Sequence, residues 1–446
     1  MRAALRAQAR RAVAGAASLT GKRFGLLVAS SLVATSAIVA SAMTGGGESG
    51  ALAALLGRGI GGAAAASTSP ASVPAVSAGA GRSSGGPSEP APTASVPVAS
   101  AAPAPAPEPA SEPQEAPTAP ESAPEAGRVK HVFVISLTSP GYERSLGAES
   151  QMPYLSGTLR PQGTLLSGYA LLDGSAAANG IAAISGQPPN SATQAGCASY
   201  DAVSPATENS SGVLAGSGCV YPVSTLTLAD QLGLGHFTWH AYAQGMSDAS
   251  GAPADCVHPE EGEPSAAAAP GGYAASQNPF VYFHSLLDLG DCSANDVSLE
   301  QLSKDLGSAK RTPNYSFLAP TPCESGATGQ CPPGATEGPA AADAFLSTWV
   351  PKILESPAYK ADGVLVVSFS ALDPSAPGAG SPESLRTGAL LLSPFLAPGA
   401  TDGTAYDPYS LLRSSEDLFG LSPLARAAGK GTKSFAPALL AENGGD

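Results

Sequence analysis

The side chains able to do chemistry in this 446-residue chain are few and unevenly placed. All six cysteines fall after residue 190, at Cys197, Cys219, Cys256, Cys292, Cys323 and Cys331. An even cysteine count in an exported chain reads as a disulfide framework, and six cysteines permit fifteen pairings. Neighbouring pairs (Cys197 with Cys219, Cys256 with Cys292, Cys323 with Cys331) would each close a loop and are the expected set. A thiolate zinc site would call for a CxxC pair, and none is present. Of the five histidines, His131, His236 and His240 open or flank apolar runs, which argues for packing or surface roles. His284 follows QNPFVYF and is expected at the surface. His258 lies in DCVHPEEGE beside Glu260 and Glu261, a polar stretch that reads as a solvated loop. No Ser-His-Asp order suited to nucleophilic catalysis emerges from residues so scattered.

The elements that must hold these residues begin at Arg128, where large apolar side chains resume. His131–Leu137 is a continuous apolar run with β-branched residues, as expected of a strand buried on both faces. Similar runs recur at Phe237–Tyr242, Tyr315–Ala319, Gly363–Phe369 and Ala389–Leu392. Between them, Leu226–Leu234, Ala340–Leu354 and Tyr409–Phe419 carry helical patterns, with Trp349, Val350, Ile353 and Leu354 at helical spacing. Strands alternating with helices predict an α/β fold, a mostly parallel central sheet sandwiched by helices. The domain is expected over residues 128–425, with a flexible tail at 426–446.

Ahead of it the composition changes twice. Residues 1–23 form a basic leader with Arg2, Arg6, Arg10, Arg11, Lys22 and Arg23. Residues 24–43, FGLLVASSLVATSAIVASAM, carry no charge and are long enough to cross a membrane as a helix. Positive charge on the N-terminal side only predicts a cytoplasmic N-terminus, a single-pass anchor in the cell membrane and an extracytoplasmic main domain. Cleavage at Ala40-Ser41-Ala42 would instead make the protein secreted. Residues 44–127 are mostly Ala, Pro, Ser and Gly, with too few large apolar groups to offset the entropy of ordering, so a disordered spacer is expected. The formal charge is −14, and the six leader bases removed leave 16 bases against 36 acids. So acidic a remainder lacks the Lys and Arg that neutralise phosphates, which excludes nucleic-acid binding. The membrane is the one partner the sequence points to; a protein or ligand partner is not specified.

The blocks KHVFVISL, AISGQPPN, TLADQL, FTWHAYAQGM, QNPFVYF, STWVPKILESPAYKADGVLVVSF, LLLSPFLAPG and YDPYSLLRSSEDLFGL occur in a fixed order from Lys130 to Leu424. In order and spacing this region resembles the bacterial phosphoesterase family of acid phosphatases and phospholipase C-type enzymes, within the alkaline phosphatase superfamily. The resemblance implies an active site at the carboxyl ends of the strands. It also implies metal ions that neutralise developing phosphoryl charge and a Ser or Thr nucleophile at a helix start.

Measured against that pattern, this sequence has lost most of the reacting groups. The family's Glu-Asn pair after the first strand falls on Thr138 and Ser139, neither a substitute for a carboxylate on a hard cation. The nucleophile position falls on Ala176, with Asn179 matching the family's Asn. Ser175, one residue off, is the weak catalytic candidate, though Ser in such a turn commonly caps a helix. The acidic pair after VLVVSF becomes Ser370-Ala371, with Asp373 two residues on. The Asp-x-His between two cysteines becomes ESGATGQ. The His before NPFVYF becomes Gln277, and the His before SLLR becomes Pro408, preceded by Asp407. Asp343 matches a family Asp, although near a helix start it could simply favour the dipole. The remaining acids, Asp173, Asp343, Asp373 and Asp407, have no spacing that demands a cation site. The expectation is therefore a vestigial pocket with no catalytic residue, no metal and no cofactor. The alternative is a divergent phosphatase or phospholipase C in which Ser175, Asp173 and Asp373 converge around a divalent metal.

Overall fold

The computed structural model describes residues 129–248 and 250–440. The basic leader, the apolar segment 24–43 and the spacer 44–127 lie outside the described residues. Among the described residues, no helix is long and apolar enough to cross a membrane.

Ten strands form in chain order: β1 (His131–Ser139), β2 (Thr164–Leu166), β3 (Ser204–Glu208), β4 (Leu214–Ser217), β5 (Trp239–Ala243), β6 (Asp296–Ser298), β7 (Tyr315–Ala319), β8 (Gly363–Leu372), β9 (Ala389–Leu392) and β10 (Thr401–Asp402). Eight of them make one sheet in the order β10-β2-β9-β8-β1-β7-β5-β6, and β3 and β4 pair as a separate antiparallel hairpin. Within the main sheet only β9 runs against its neighbours. The expectation of a mostly parallel sheet is met. Every residue of β1 and β8 is buried, as a central strand covered on both faces requires. Their pairing slips between Leu137 and Thr138, so Thr138 faces Ala371 and Ser139 faces Leu372. That irregularity falls where the sequence changes from apolar to hydroxyl side chains.

Five helices matter to the site: α1 (Ala176–Ser185), α2 (Leu228–Leu234), α3 (Pro339–Leu354), α4 (Pro408–Phe419) and α5 (Ala436–Leu440). Ser175 caps α1, its Oγ accepting from the Ala178 amide, and Gly186 ends it in the left-handed conformation at φ 71°. From Ala177 to Ser185, α1 is buried throughout, so small side chains are what its packing tolerates. A Cβ at Gly180 would meet the Pro279 ring at 3.2 Å. Thr227 and Asp230 make a reciprocal capping box for α2. The three helices expected from the sequence, α2, α3 and α4, start and end within two residues of expectation.

Several boundaries differ from expectation. β1 and β8 run two and three residues past the expected ends, through Ser139 and Leu372, because hydroxyl and small side chains continue the ladder. The segment expected as a flexible tail is folded as far as Leu440. Phe435 and Leu439 are buried, and the Phe435 amide donates to Ser414 Oγ on α4 at 2.8 Å. Its apolar residues are too sparse to show periodicity, yet they complete the cover over α4.

Candidate functional site

The crevice expected at the carboxyl ends of β1 and β8 is built from hydrogen bonds that close on themselves. Thr138 Oγ1 sits 2.9 Å from Ser325 Oγ, and Ser139 Oγ accepts from the Gly141 amide at 3.1 Å. Ser136 Oγ donates to Ser370 Oγ at 2.6 Å across the β1–β8 pair. Asp373 receives the Thr328 amide (2.8 Å) and hydroxyl (3.1 Å), together with the Ser375 amide (2.7 Å) and hydroxyl (2.5 Å). Burial alone would raise this carboxyl, but the bonds from Ser375 and Thr328 outweigh it and hold Asp373 below the ordinary carboxylate range. Ser325 and Thr328 both lie in the loop that the Cys323–Cys331 disulfide closes. That short loop is therefore fastened to the ends of both central strands.

The turn before α1 is fastened in the same way. Asn179 Oδ1 accepts from the Leu172 amide at 2.8 Å, while its Nδ2 lies 2.7–2.8 Å from the carbonyls of Asp173, Ser175 and Ser370. Asn179 thus staples the nucleophile turn to the end of β8. Ser175 Oγ donates to the Thr193 carbonyl at 2.6 Å as well as capping α1. Asp173 accepts the Ser175 amide at 2.9 Å and the Gln194 side chain at 3.3 Å. The backbone brings the turn close to the end of β8, since the Leu372 amide donates to the Gly174 carbonyl at 3.0 Å. The side chains of Ser175, Asp173 and Asp373 nevertheless bond to separate partners and not to one another.

The other candidates are dispersed. Asp343 lies beyond the first turn of α3, out of reach of a dipole effect, and its two oxygens accept the Tyr154 and Leu155 amides at 2.9 Å each. Asp407 caps α4 by accepting from the Ser410 amide at 2.9 Å, with Pro408 in the first helical position. Gln277 ends a short 3-10 turn, and its side-chain oxygen is buried without a protein partner. Ala176 and Ala371 contribute only methyl groups.

The histidines lie apart from the crevice candidates. His131 pairs with Asp362, His240 with Asp305 at 3.1 Å and His284 with Asp288 at 3.0 Å. His236 is exposed, and His258 lies against the carbonyl of Pro259 in an exposed loop. Among the described residues, one group of three His, Cys, Asp or Glu side chains brings ligand-type atoms within 4.8 Å of one another: Cys256, Cys292 and Asp296. Cys256 and Cys292 are bonded to each other, so that group is no cation site as it stands. All three disulfides are the expected neighbouring pairs. A cavity of about 410 Å³ opens beside α3, lined in part by Thr321, Glu324, Thr336, Phe345 and Trp349. Cys323 of the Cys323–Cys331 bridge lines it too, but none of the residues expected in the crevice does.

What sequence reasoning missed is the set of partners: Ser325, Thr328, Thr193 and Ser375. The signal lay in ESGATGQ, where hydroxyl residues stand in the place of ligands, but the strands they would reach are remote in the chain.

Comparison with known proteins places these features in a lineage. A protein of the alkaline phosphatase superfamily from Vibrio parahaemolyticus is similar at 14% identity, covering 68% of this chain and 70% of that one, with a TM-score of 0.41. A putative sulfatase from Bacteroides thetaiotaomicron is similar at 12% identity, covering 72% and 76%, with a TM-score of 0.43. The lipoteichoic acid synthase LtaP from Listeria monocytogenes is similar at 10% identity, covering 72% and 78%, with a TM-score of 0.40. No curated protein matches the chain. The sequence profile of the Phosphoesterase family matches residues 148–422, more than half of the chain, and the chain belongs to that family.

Proposed function

We propose that this phosphoesterase-family domain has given up metal-dependent phosphate-ester hydrolysis and does binding or structural work at the cell envelope, held there by its N-terminal apolar segment. The observation that supports this reading is the use made of the carboxylates. Asp373 and Asp343 each have both oxygens engaged by hydrogen bonds within the protein. Asp407 and Asp173 are tied to helix and turn amides. A divalent cation needs several oxygen or nitrogen donors converging on one point, and this donor set does not fit one. With no convergent donor set to hold a metal that would neutralise phosphoryl charge, and a hydroxyl at Ser175 that already serves a cap and a carbonyl, the geometry gives no support to a hydrolytic step.

The test is turnover of a phosphomonoester and a phosphodiester by the purified chain, with Mg²⁺, Mn²⁺, Ca²⁺ or Zn²⁺ added and bound metal measured in parallel. The expected outcome is rates equal in wild type and Ser175→Ala, with metal far below one equivalent. Robust turnover abolished by Ser175→Ala, with stoichiometric metal, would establish a divergent hydrolase instead. Membrane fractionation of the full chain, with protease added from outside, checks the tether. The domain is expected in the membrane fraction and open to external protease.

A further inference from the structure

Asp296 opens β6 at the sheet edge and is fully buried. Its Oδ2 accepts from Asn278 Nδ2 at 2.8 Å, while Oδ1 has no hydrogen-bond partner. Such a group normally costs free energy to bury and persists where something else requires it. Beside it stands the Cys256–Cys292 bridge, with Cys292 Sγ only 3.8 Å from the carboxyl. The two sulfurs differ in access. Cys292 is fully buried, whereas Cys256 is half-buried in an exposed loop and held at φ 54°, a left-handed backbone that strains a residue other than glycine.

We propose that the Cys256–Cys292 bridge is a thiol–disulfide exchange site for small dithiol reductants, with Asp296 as proton donor to the inner sulfur. A thiolate of the dithiol attacks Cys256 Sγ, which belongs to the less buried residue of the pair. The sulfur–sulfur bond breaks, and its electron pair leaves on Cys292 Sγ. A thiolate left in an apolar interior is a poor leaving group, and transfer of the Asp296 proton to it removes that obstacle. The second thiol of the reductant, after losing its proton to water, attacks the mixed disulfide and departs with the first as a cyclic disulfide. Cys256 takes a proton from water, and so does Asp296. The two electrons come from the dithiol.

The environment keeps Asp296 protonated at neutral pH. Burial raises its carboxyl to about 8, the Asn278 bond opposes this and the nearby charge of Asp255 adds to it. The Tyr273 phenol also faces it and stays neutral, since burial and Asp296 itself push its ionisation well up.

The test uses the intact oxidised chain and dithiothreitol, with rates normalised to reductant thiolate from pH 6 to pH 9.5. Each bridge is read by alkylation and mass spectrometry. In wild type the Cys256–Cys292 rate should exceed that of Asp296→Asn by about tenfold at pH 7 and fall towards the variant's value above pH 8. The other two bridges should reduce equally in both proteins. A carboxyl with only a structural role would, once replaced, loosen the site and speed reduction, so an equal or faster rate in Asp296→Asn overturns the proposal. Asn278→Ala keeps the carboxyl and supplies the reading should Asp296→Asn fail to fold. Its normalised rate must still decline at alkaline pH, and a flat profile overturns the proposal.

Discussion

Asp373 and Asp343 stand at positions close to, or matching, acids that the family resemblance makes functional, yet every oxygen they own accepts a hydrogen bond from a neighbouring segment. Asp296 and Glu416 lie where no family chemistry is expected, and each leaves one buried oxygen without a partner. Asp373 is held below the usual carboxylate range; Asp296 and Glu416 are raised to about 8 by burial. The contrast separates two ways of keeping an acid. At Asp373 the carboxylate is a staple and wants its charge; at the sheet edge and on α4 the charged form is penalised. An acid that has become a staple is no longer available to a cation, whereas a half-satisfied acid still has a proton to exchange.

Substitution at Asp343 should break this contrast most severely. Asp343→Ala leaves the Tyr154 and Leu155 amides without their acceptor and should destabilise the domain by about 2–4 kcal/mol in urea unfolding. A change under half a kilocalorie would mean that water replaces the carboxylate readily.

The pH dependence comes next, and its sign differs between the two sets. For Asp296 and Glu416 the folded carboxyl titrates above the unfolded one, so the native state holds extra protons between about pH 4 and about pH 8. Their contribution is therefore most favourable at the acid end and declines as pH rises through that window. Asp373 acts oppositely, stabilising above its unfolded value and losing that contribution as pH falls through its depressed folded one. Glu416→Gln should flatten the decline in Tm between pH 5 and pH 8 while leaving the acid limb unchanged. An unaltered slope would show that Glu416 is ionised throughout.

The smallest effect is expected at Ser175. Ser175→Ala removes the cap of α1 and one bond to Thr193, a loss of about 1 kcal/mol by thermal or urea unfolding.

The legible parts of this sequence were those with a strong local signal. β1 and β8 were readable because apolar runs rich in β-branched residues pass through them, and α3 because its apolar residues keep helical spacing. The strands β2, β6 and β10 went unread because two or three residues are too few to carry a periodicity. Departures from the family pattern at Thr138, Ser139, Ala176, Gln277, Ser370, Ala371 and Pro408 could be read position by position. The replacement contacts could not, since Thr138 finds Ser325 and Asp373 finds Thr328 only after the sheet has brought distant segments together. The dipole reading of Asp343 failed for the same reason. Its partners are 188 and 189 residues away.

On the proposed reading, the disulfide-closed loop 323–331 makes a return of ligands hard to achieve. Because Ser325 holds β1 and Thr328 holds β8, restoring an acid at position 138 would place it against a hydroxyl already committed to the fold. Regaining a cation would require the loop, the strand ends and Asp373 to change together. On that reading, any one of those changes made alone is expected to weaken the domain before it returns a ligand.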